Sequence, residues 1–203
     1  EVLNRQLWKN TENPWKQAEL IERDEGTLMG NISLIPSHLT ERYSLPVIVK
    51  EKLAVQEVIH TPAGETVLDM GQNMVGWLSV DLKGKKDKPV SMKFAELLQK
   101  DGSLYLANLR TAQVTDVYTP AEDGDFSWQP RFVYHGFRFV EVSGLDYKTE
   151  LSAFTGHVIY DEMTTTGRFE TSHPLVNQIH KNAYWGIRGN YRGMPTDCPQ
   201  RDE

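Results

Sequence analysis

Apolar and polar positions alternate along the middle of the chain in short runs, and that alternation is the first organising signal. Leu78, Val80 and Leu82 are separated by Ser79 and Asp81, and Val90, Met92 and Phe94 by Ser91 and Lys93. A period of two is the pattern of a strand with one face buried. Similar runs occupy Val47 to Val49, Leu53 to Ile59, Thr66 to Met70, Gly76 to Leu82 and Val90 to Phe94. They continue at Ala112 to Tyr118, Phe126 to Trp128, Phe137 to Val142 and Leu151 to Val158. Turn signals recur between them, at Gly71, Lys83-Gly84, Asp101-Gly102, Asp123-Gly124 and Ser143-Gly144. Nine or ten short strands broken in this way predict an antiparallel two-sheet sandwich over residues 46–160. The long helical patterns that would separate strands of a parallel sheet are absent from this stretch.

The pattern changes after Tyr160. Asp161 to Gly167 is polar and reads as a linker. Ser172-His173-Pro174 then supplies a helix start, with a capping hydroxyl and a proline near the first turn. Leu175, Val176, Ile179, Ala183, Tyr184 and Ile187 follow at helical spacing, predicting a helix of about seventeen residues, roughly 25 Å long. Gly186 and Gly189 weaken it by about 1 kcal/mol each relative to alanine. The apolar stripe therefore needs a covering surface from outside the segment, and a chain lacking one is expected to be sticky or to self-associate. Residues 1–45 are the least regular. Trp8, Trp15 and the Leu28–Ile35 run are broken by Gly and Pro, and Ser44-Leu45-Pro46 marks a boundary because the residue before proline is driven extended. Asn31-Ile32-Ser33 matches the N-glycosylation triplet, a pattern short enough to arise by chance.

Composition narrows the function classes. The 203 residues carry a net charge of −6 and are 39% hydrophobic, which fits a folded globular chain and argues against nucleic acid as a partner. The basic run Lys83-Gly84-Lys85-Lys86-Asp87-Lys88 is interrupted and reads as a solvated hairpin turn. No apolar stretch reaches the ~18 residues of a membrane-spanning helix. Cys198 is the single cysteine, so no internal disulfide exists. The histidines show no metal-ligand spacing, and Glu122-Asp123-Gly124-Asp125 is too short to complete a calcium shell by itself. No glycine-rich phosphate loop is present. Neither a cofactor nor a metal is expected. The compartment is left open, with a periplasmic or secreted location favoured over the cytoplasm.

Two stretches hold candidate chemistry. Tyr134-His135-Gly136-Phe137-Arg138 clusters rings and cations as a sugar groove does, but a strand with a bulge and its rings in the core is the simpler reading, as it is for Trp77 and Trp128. The second stretch, Asp197 to Glu203, gathers three carboxylates and Arg201 within seven positions. By residue type alone, a solvated terminus is the simpler reading and a sugar-handling loop the alternative. Glycosidic cleavage needs a carboxylic acid to protonate the leaving oxygen and a second carboxylate across the sugar. Neighbouring Asp and Arg side chains can fix ring hydroxyls by charge-assisted hydrogen bonds.

The string Pro195-Thr196-Asp197-Cys198-Pro199-Gln200-Arg201-Asp202-Glu203 resembles the opening of the active-site segment of bacterial α-L-rhamnosidases, glycoside hydrolase family 78. Leu68-Asp69-Met70-Gly71-Gln72-Asn73-Met74-Val75-Gly76-Trp77 resembles a signature of the sandwich that precedes the catalytic domain there. Phe94-Ala95-Glu96-Leu97-Leu98 with Asp101 to Tyr105, and Tyr134 to Val142, follow in the family's order. The resemblance covers residues 45 to 203. It implies a mainly β chain: a jelly-roll or concanavalin-like sandwich at 46–160, then linker and first helix of an (α/α)6 barrel at 161–203. Residues 1–45 would be the tail of a preceding β domain.

It also implies a parent enzyme that releases terminal α-L-rhamnose with inversion from a rhamnose-containing carbohydrate. Glu203 matches the general acid, Asp197 and Arg201 match residues holding the rhamnose hydroxyls, and Asp202 is a further member of that shell. The general base and the remainder of the barrel are expected downstream, so this chain alone is expected to be inactive. The alternative is a non-catalytic carbohydrate-binding or structural sandwich with a helical docking arm.

Overall fold

The computed structural model describes residue 41 and residues 44–145 and 150–201. Residues 44–201 lie within one compact unit, Ser44–Glu203. The irregular stretch up to residue 40, with the Asn31 triplet, lies outside the described residues, as do Asp202 and Glu203.

Among the described residues there are eight strands: β1 (Val47–Ala54), β2 (Glu57–His60), β3 (Thr66–Gly84), β4 (Val90–Ala95), β5 (Thr115–Tyr118), β6 (Gly124–Trp128), β7 (His135–Ser143) and β8 (Phe154–Asp161). One helix follows, α1 (Pro174–Gly189). All strand pairs are antiparallel. The expected sandwich is therefore present, with one correction to its strand count. Thr66–Met70 and Gly76–Leu82 are not separate strands but the two halves of the 19-residue β3. Gly71 does not end the strand, because the residues around it form a bulge and pairing with β7 resumes at Met74.

That long strand serves both sheets. Its first half pairs with β2 and β7, and β7 continues to β4 and β5. Its second half pairs with β8 and β6, and β8 continues to β1. Gly76 sits at the crossover, paired with His135 of β7 and Val158 of β8. The lysine-rich run after β3 forms a turn, Lys88 N–H donating to Lys85 O at 3.1 Å, but not a hairpin. It carries the chain from the second sheet to β4 of the first.

The main core lies between the sheets. Leu68, Met70, Met74 and Phe137 meet Leu78, Val80, Phe154 and Val158 there. Gly156 of β8 has no side chain, and a Cβ on it would lie 2.8 Å from Met70 Cε and 3.0 Å from Met74 Sδ, so the two methionines fill that space. A smaller cluster of Val67, Ala95, Leu104 and Phe139 covers the outer face of the first sheet, closed by the turn that brings Leu98 opposite Leu104. The rings of Phe137 and Phe139 do enter the core. The extra residues of the bulge, however, are on β3 and not at Gly136. Trp128 packs against the core, whereas Trp77 faces outward, stacked on His157 at 5.7 Å with its indole N–H on Gln129.

The helix spans 16 residues, close to expectation, but its start is built differently. His173 occupies the capping position and no side chain caps the helix. Asn177 instead reaches back, donating to Thr171 O and accepting from Thr171 N–H, both at 2.8 Å. The apolar stripe does not dock on the sandwich either: Leu175, Ile179 and Ile187 remain more than half exposed. The sandwich is met by the opposite side of the last turns. Gly189 lies against Val75, where a Cβ would come within 3.0 Å of Val75 Cγ2. Arg188 is buried among the rings of Tyr160, Tyr184 and Trp185 and paired with Glu51.

Candidate active site

The segment after α1 is tied down before it reaches the acidic motif. Asn190 closes the helix through its amide, which donates to Gly186 O at 2.8 Å. Asp161, at the end of β8, accepts the Gly193 N–H on both carboxylate oxygens at 2.7 and 2.9 Å, while its own N–H donates to Tyr191 O. Arg192 lies over the Tyr134 ring at 4.3 Å and donates to Gly189 O and Thr196 Oγ1. Thr196 N–H returns to Asn190 O at 2.9 Å. A short hydrogen-bonded loop thus delivers Asp197 to the edge of the sandwich.

The motif itself folds as a turn, with Arg201 N–H on Cys198 O at 2.8 Å. Arg201 donates from its guanidinium to Cys198 Sγ at 2.6 Å, and the thiol donates to Asp197 Oδ2 at 3.3 Å. The sulfur therefore bridges the carboxylate and the guanidinium. Pro199 and Gln200 rest on β7 at Gly136, where a Cβ would lie 3.0 Å from Gln200 N and 3.2 Å from Pro199 C. Only a residue without a side chain lets the loop sit this close. Asp197 and Arg201 are thus brought together as the sequence suggested, and Asp202 and Glu203 lie outside the described residues.

Beside this loop is a cavity of about 410 Å³ between sandwich and helix. Gln72, Asn73 and Glu96 line it from the sandwich, Asn182 and Trp185 from the helix, and Asp197 from the loop. The Asn73 amide donates to Glu96 Oε1 at 2.9 Å. Amides, carboxylates and an indole are donors, acceptors and a flat apolar face, the set that holds a polyhydroxylated ring. Asn73 and Glu96 are 23 positions apart, and no local pattern pairs them.

Two polar pairs anchored on β7, one half-buried and one buried, lie behind this wall. Arg138 donates twice to Asp69, at 2.8 and 2.7 Å, and these bonds hold the Asp69 carboxyl below the usual carboxylate range. His135 Nε2 lies 2.9 Å from Asp116 Oδ1, with its ring stacked on Phe94 at 4.3 Å. Neither pair reaches the cavity lining, so the Tyr134–Arg138 cluster is structural rather than a groove.

The fold and the loop define a class by architecture: an antiparallel β-sandwich followed by a helical segment. Comparison specifies the family. The profile described as bacterial alpha-L-rhamnosidase concanavalin-like domain matches residues 59–160, and that of the bacterial alpha-L-rhamnosidase 6 hairpin glycosidase domain matches 164–203. The chain belongs to the bacterial α-L-rhamnosidase family. An α-L-rhamnosidase of Streptomyces avermitilis is 40% identical over 93% of the chain, and the match spans 18% of that enzyme's length. Among solved structures, Streptomyces avermitilis α-L-rhamnosidase complexed with L-rhamnose superposes with a TM-score of 0.76 at 41% identity, over 80% of this chain and 16% of that one. The native enzyme of Aspergillus terreus gives 0.74 at 40% identity, over 78% and 18%.

Proposed function

We propose that this chain is part of an inverting glycosidase that removes terminal α-L-rhamnose, and that it carries the sugar-holding and acid side of that site. The observation that supports this reading is the Asp197–Cys198–Arg201 cluster, held beside an amide-rich cavity where two consecutive domains of the family meet. Asp197 and Arg201 hold rhamnose hydroxyls through charge-assisted hydrogen bonds, with Asp202 beside them. Glu203 protonates the glycosidic oxygen as the bond breaks. A base on the opposite face of the ring activates water, with its carboxyl ~6.5–9.5 Å from that of the acid. No residue of this chain is assigned that role, so the 203 residues alone do not turn over.

The test is hydrolysis of an aryl α-L-rhamnoside by the full-length enzyme, followed by proton NMR to identify the first-released anomer. The β anomer is expected, and Glu203→Gln is expected to lower kcat by about 10²–10⁴. Release of the α anomer, or full activity in Glu203→Gln, refutes the assignment.

A further inference from the structure

The bulge in β3 is more elaborate than the sandwich requires. Between the pairs Asp69–Phe139 and Met74–Phe137, four residues of β3 face the single Arg138 of β7. Arg138 turns its guanidinium onto Asp69, and Asp69 Oδ1 also accepts the Gly71 N–H at 2.7 Å. Gly71 takes φ +74°, and a Cβ there would meet Gln56 Cγ at 2.6 Å. The loop is therefore folded tightly and in one way. Its tip carries Gln72 and an exposed Asn73, neither of which contributes to the core. Bulges of this kind re-aim side chains beside active sites.

These residues line the same cavity as Asp197. Asn73 is fixed there by Glu96, which follows the end of β4. Among the described residues no Lys, Arg or His lines the cavity, which suits a neutral ligand better than an anion, and its volume falls within the ~300–1,000 Å³ of small-molecule sites. Resting on the proposed function, in which Asp197 holds the rhamnose, the sandwich residues that share its cavity are left to meet what the rhamnose is attached to. We propose that Asn73 and Glu96 of the sandwich form a leaving-group subsite for a neutral sugar, so that this domain selects among rhamnosides. The motif around Met70-Gly71-Gln72-Asn73 thereby gains a role beyond folding.

The experiment compares kcat/KM of the full-length enzyme on an aryl α-L-rhamnoside and on rhamnosyl-glucose disaccharides of (1→2), (1→4) and (1→6) linkage. Asn73→Ala and Glu96→Gln are expected to lower the disaccharide-to-aryl ratio by about 10- to 100-fold for the preferred linkage, the range for lost hydrogen bonds to a substrate hydroxyl. Activity on the aryl substrate reports that each variant is folded. A ratio unchanged in both variants overturns the subsite, as it would if further parts of the protein fill the cavity, and leaves the proposed function standing. A wild-type enzyme that cleaves neither substrate overturns both.

Discussion

Arg188 is the pin that fastens the helix to the sandwich, and its removal should detach one without unfolding the other. Its guanidinium carbon lies 4.5 Å from the centre of the Tyr160 ring, 4.8 Å from Tyr184 and 4.3 Å from Trp185, and it pairs with Glu51. The residue is only 7% exposed, so the ring contacts are largely desolvated, while the Glu51 side chain at 39% is not. A desolvated cation over an aromatic face contributes about 0.5–2 kcal/mol. Two of the three rings belong to the helix itself and survive its release in part. The net docking contribution is therefore about 0.5–3 kcal/mol, of which the ion pair supplies less than 1 kcal/mol at its exposed end. Hydrogen exchange of the Arg188→Ala chain measures it. Amides of Pro174–Gly189 should exchange roughly 2- to 150-fold faster, since each 1.4 kcal/mol is tenfold, while those of β3, β7 and β8 keep their protection. Equal loss of protection in helix and strands would refute the reasoning, because it would make the helix part of one cooperative unit with the sandwich. Unchanged helix exchange would refute it from the other side.

Three further outcomes follow from the same geometry. Gly76→Ala would drive a Cβ to 1.7 Å from His157 O and should prevent soluble folding; Gly64→Ala, at φ +90° with nothing within 4 Å, should cost only about 1–2 kcal/mol of backbone strain in urea unfolding. His157 is held below its ordinary range by burial, with Lys52 adding to the effect. The unfolded chain takes that proton first, so the stability it confers is present above about pH 6.5 and is lost as pH falls through the folded value. His157→Gln should flatten this part of the urea-midpoint profile, leaving the steeper fall below about pH 4 where Asp69 protonates and its Arg138 bonds weaken. Leu175, Ile179 and Ile187 are 61%, 59% and 56% exposed, so this chain should elute on size exclusion with concentration-dependent size, and Ile179→Glu should restore a monomer.

What the sequence could show tracks how many faces of an element are buried. The second half of β3 was legible because Leu78, Val80 and Leu82 enter the core while Ser79, Asp81 and Lys83 face outward. Its first half hides the period: Val67 packs in the outer cluster, Leu68 and Met70 in the main core, and Asp69 is buried beneath the half-exposed Arg138. A glycine between two such stretches reads as a turn, and nothing local says that pairing resumes at Met74. The sheet crossing after Lys83 is equally invisible, since a turn has the same residues whether its strands pair or part. Asp197 and Arg201 were legible as neighbours because four positions separate them, and Asn73 and Glu96 were not because a bulge and two strands bring them together.

The same comparison adds a second role for Gly189. As a helix residue it costs about 1 kcal/mol relative to alanine. In the structure it is where the helix touches the sandwich, and any side chain would press on Val75. Gly136 repeats this logic on the other partner, leaving room for the Pro199–Gln200 backbone. Both sites lie at the joint between the sandwich and the helical segment, where backbone must approach closely for Asp197 to line the cavity. The local cost of each glycine is offset by the fit between two domains, which is why neither could be understood from its own element alone.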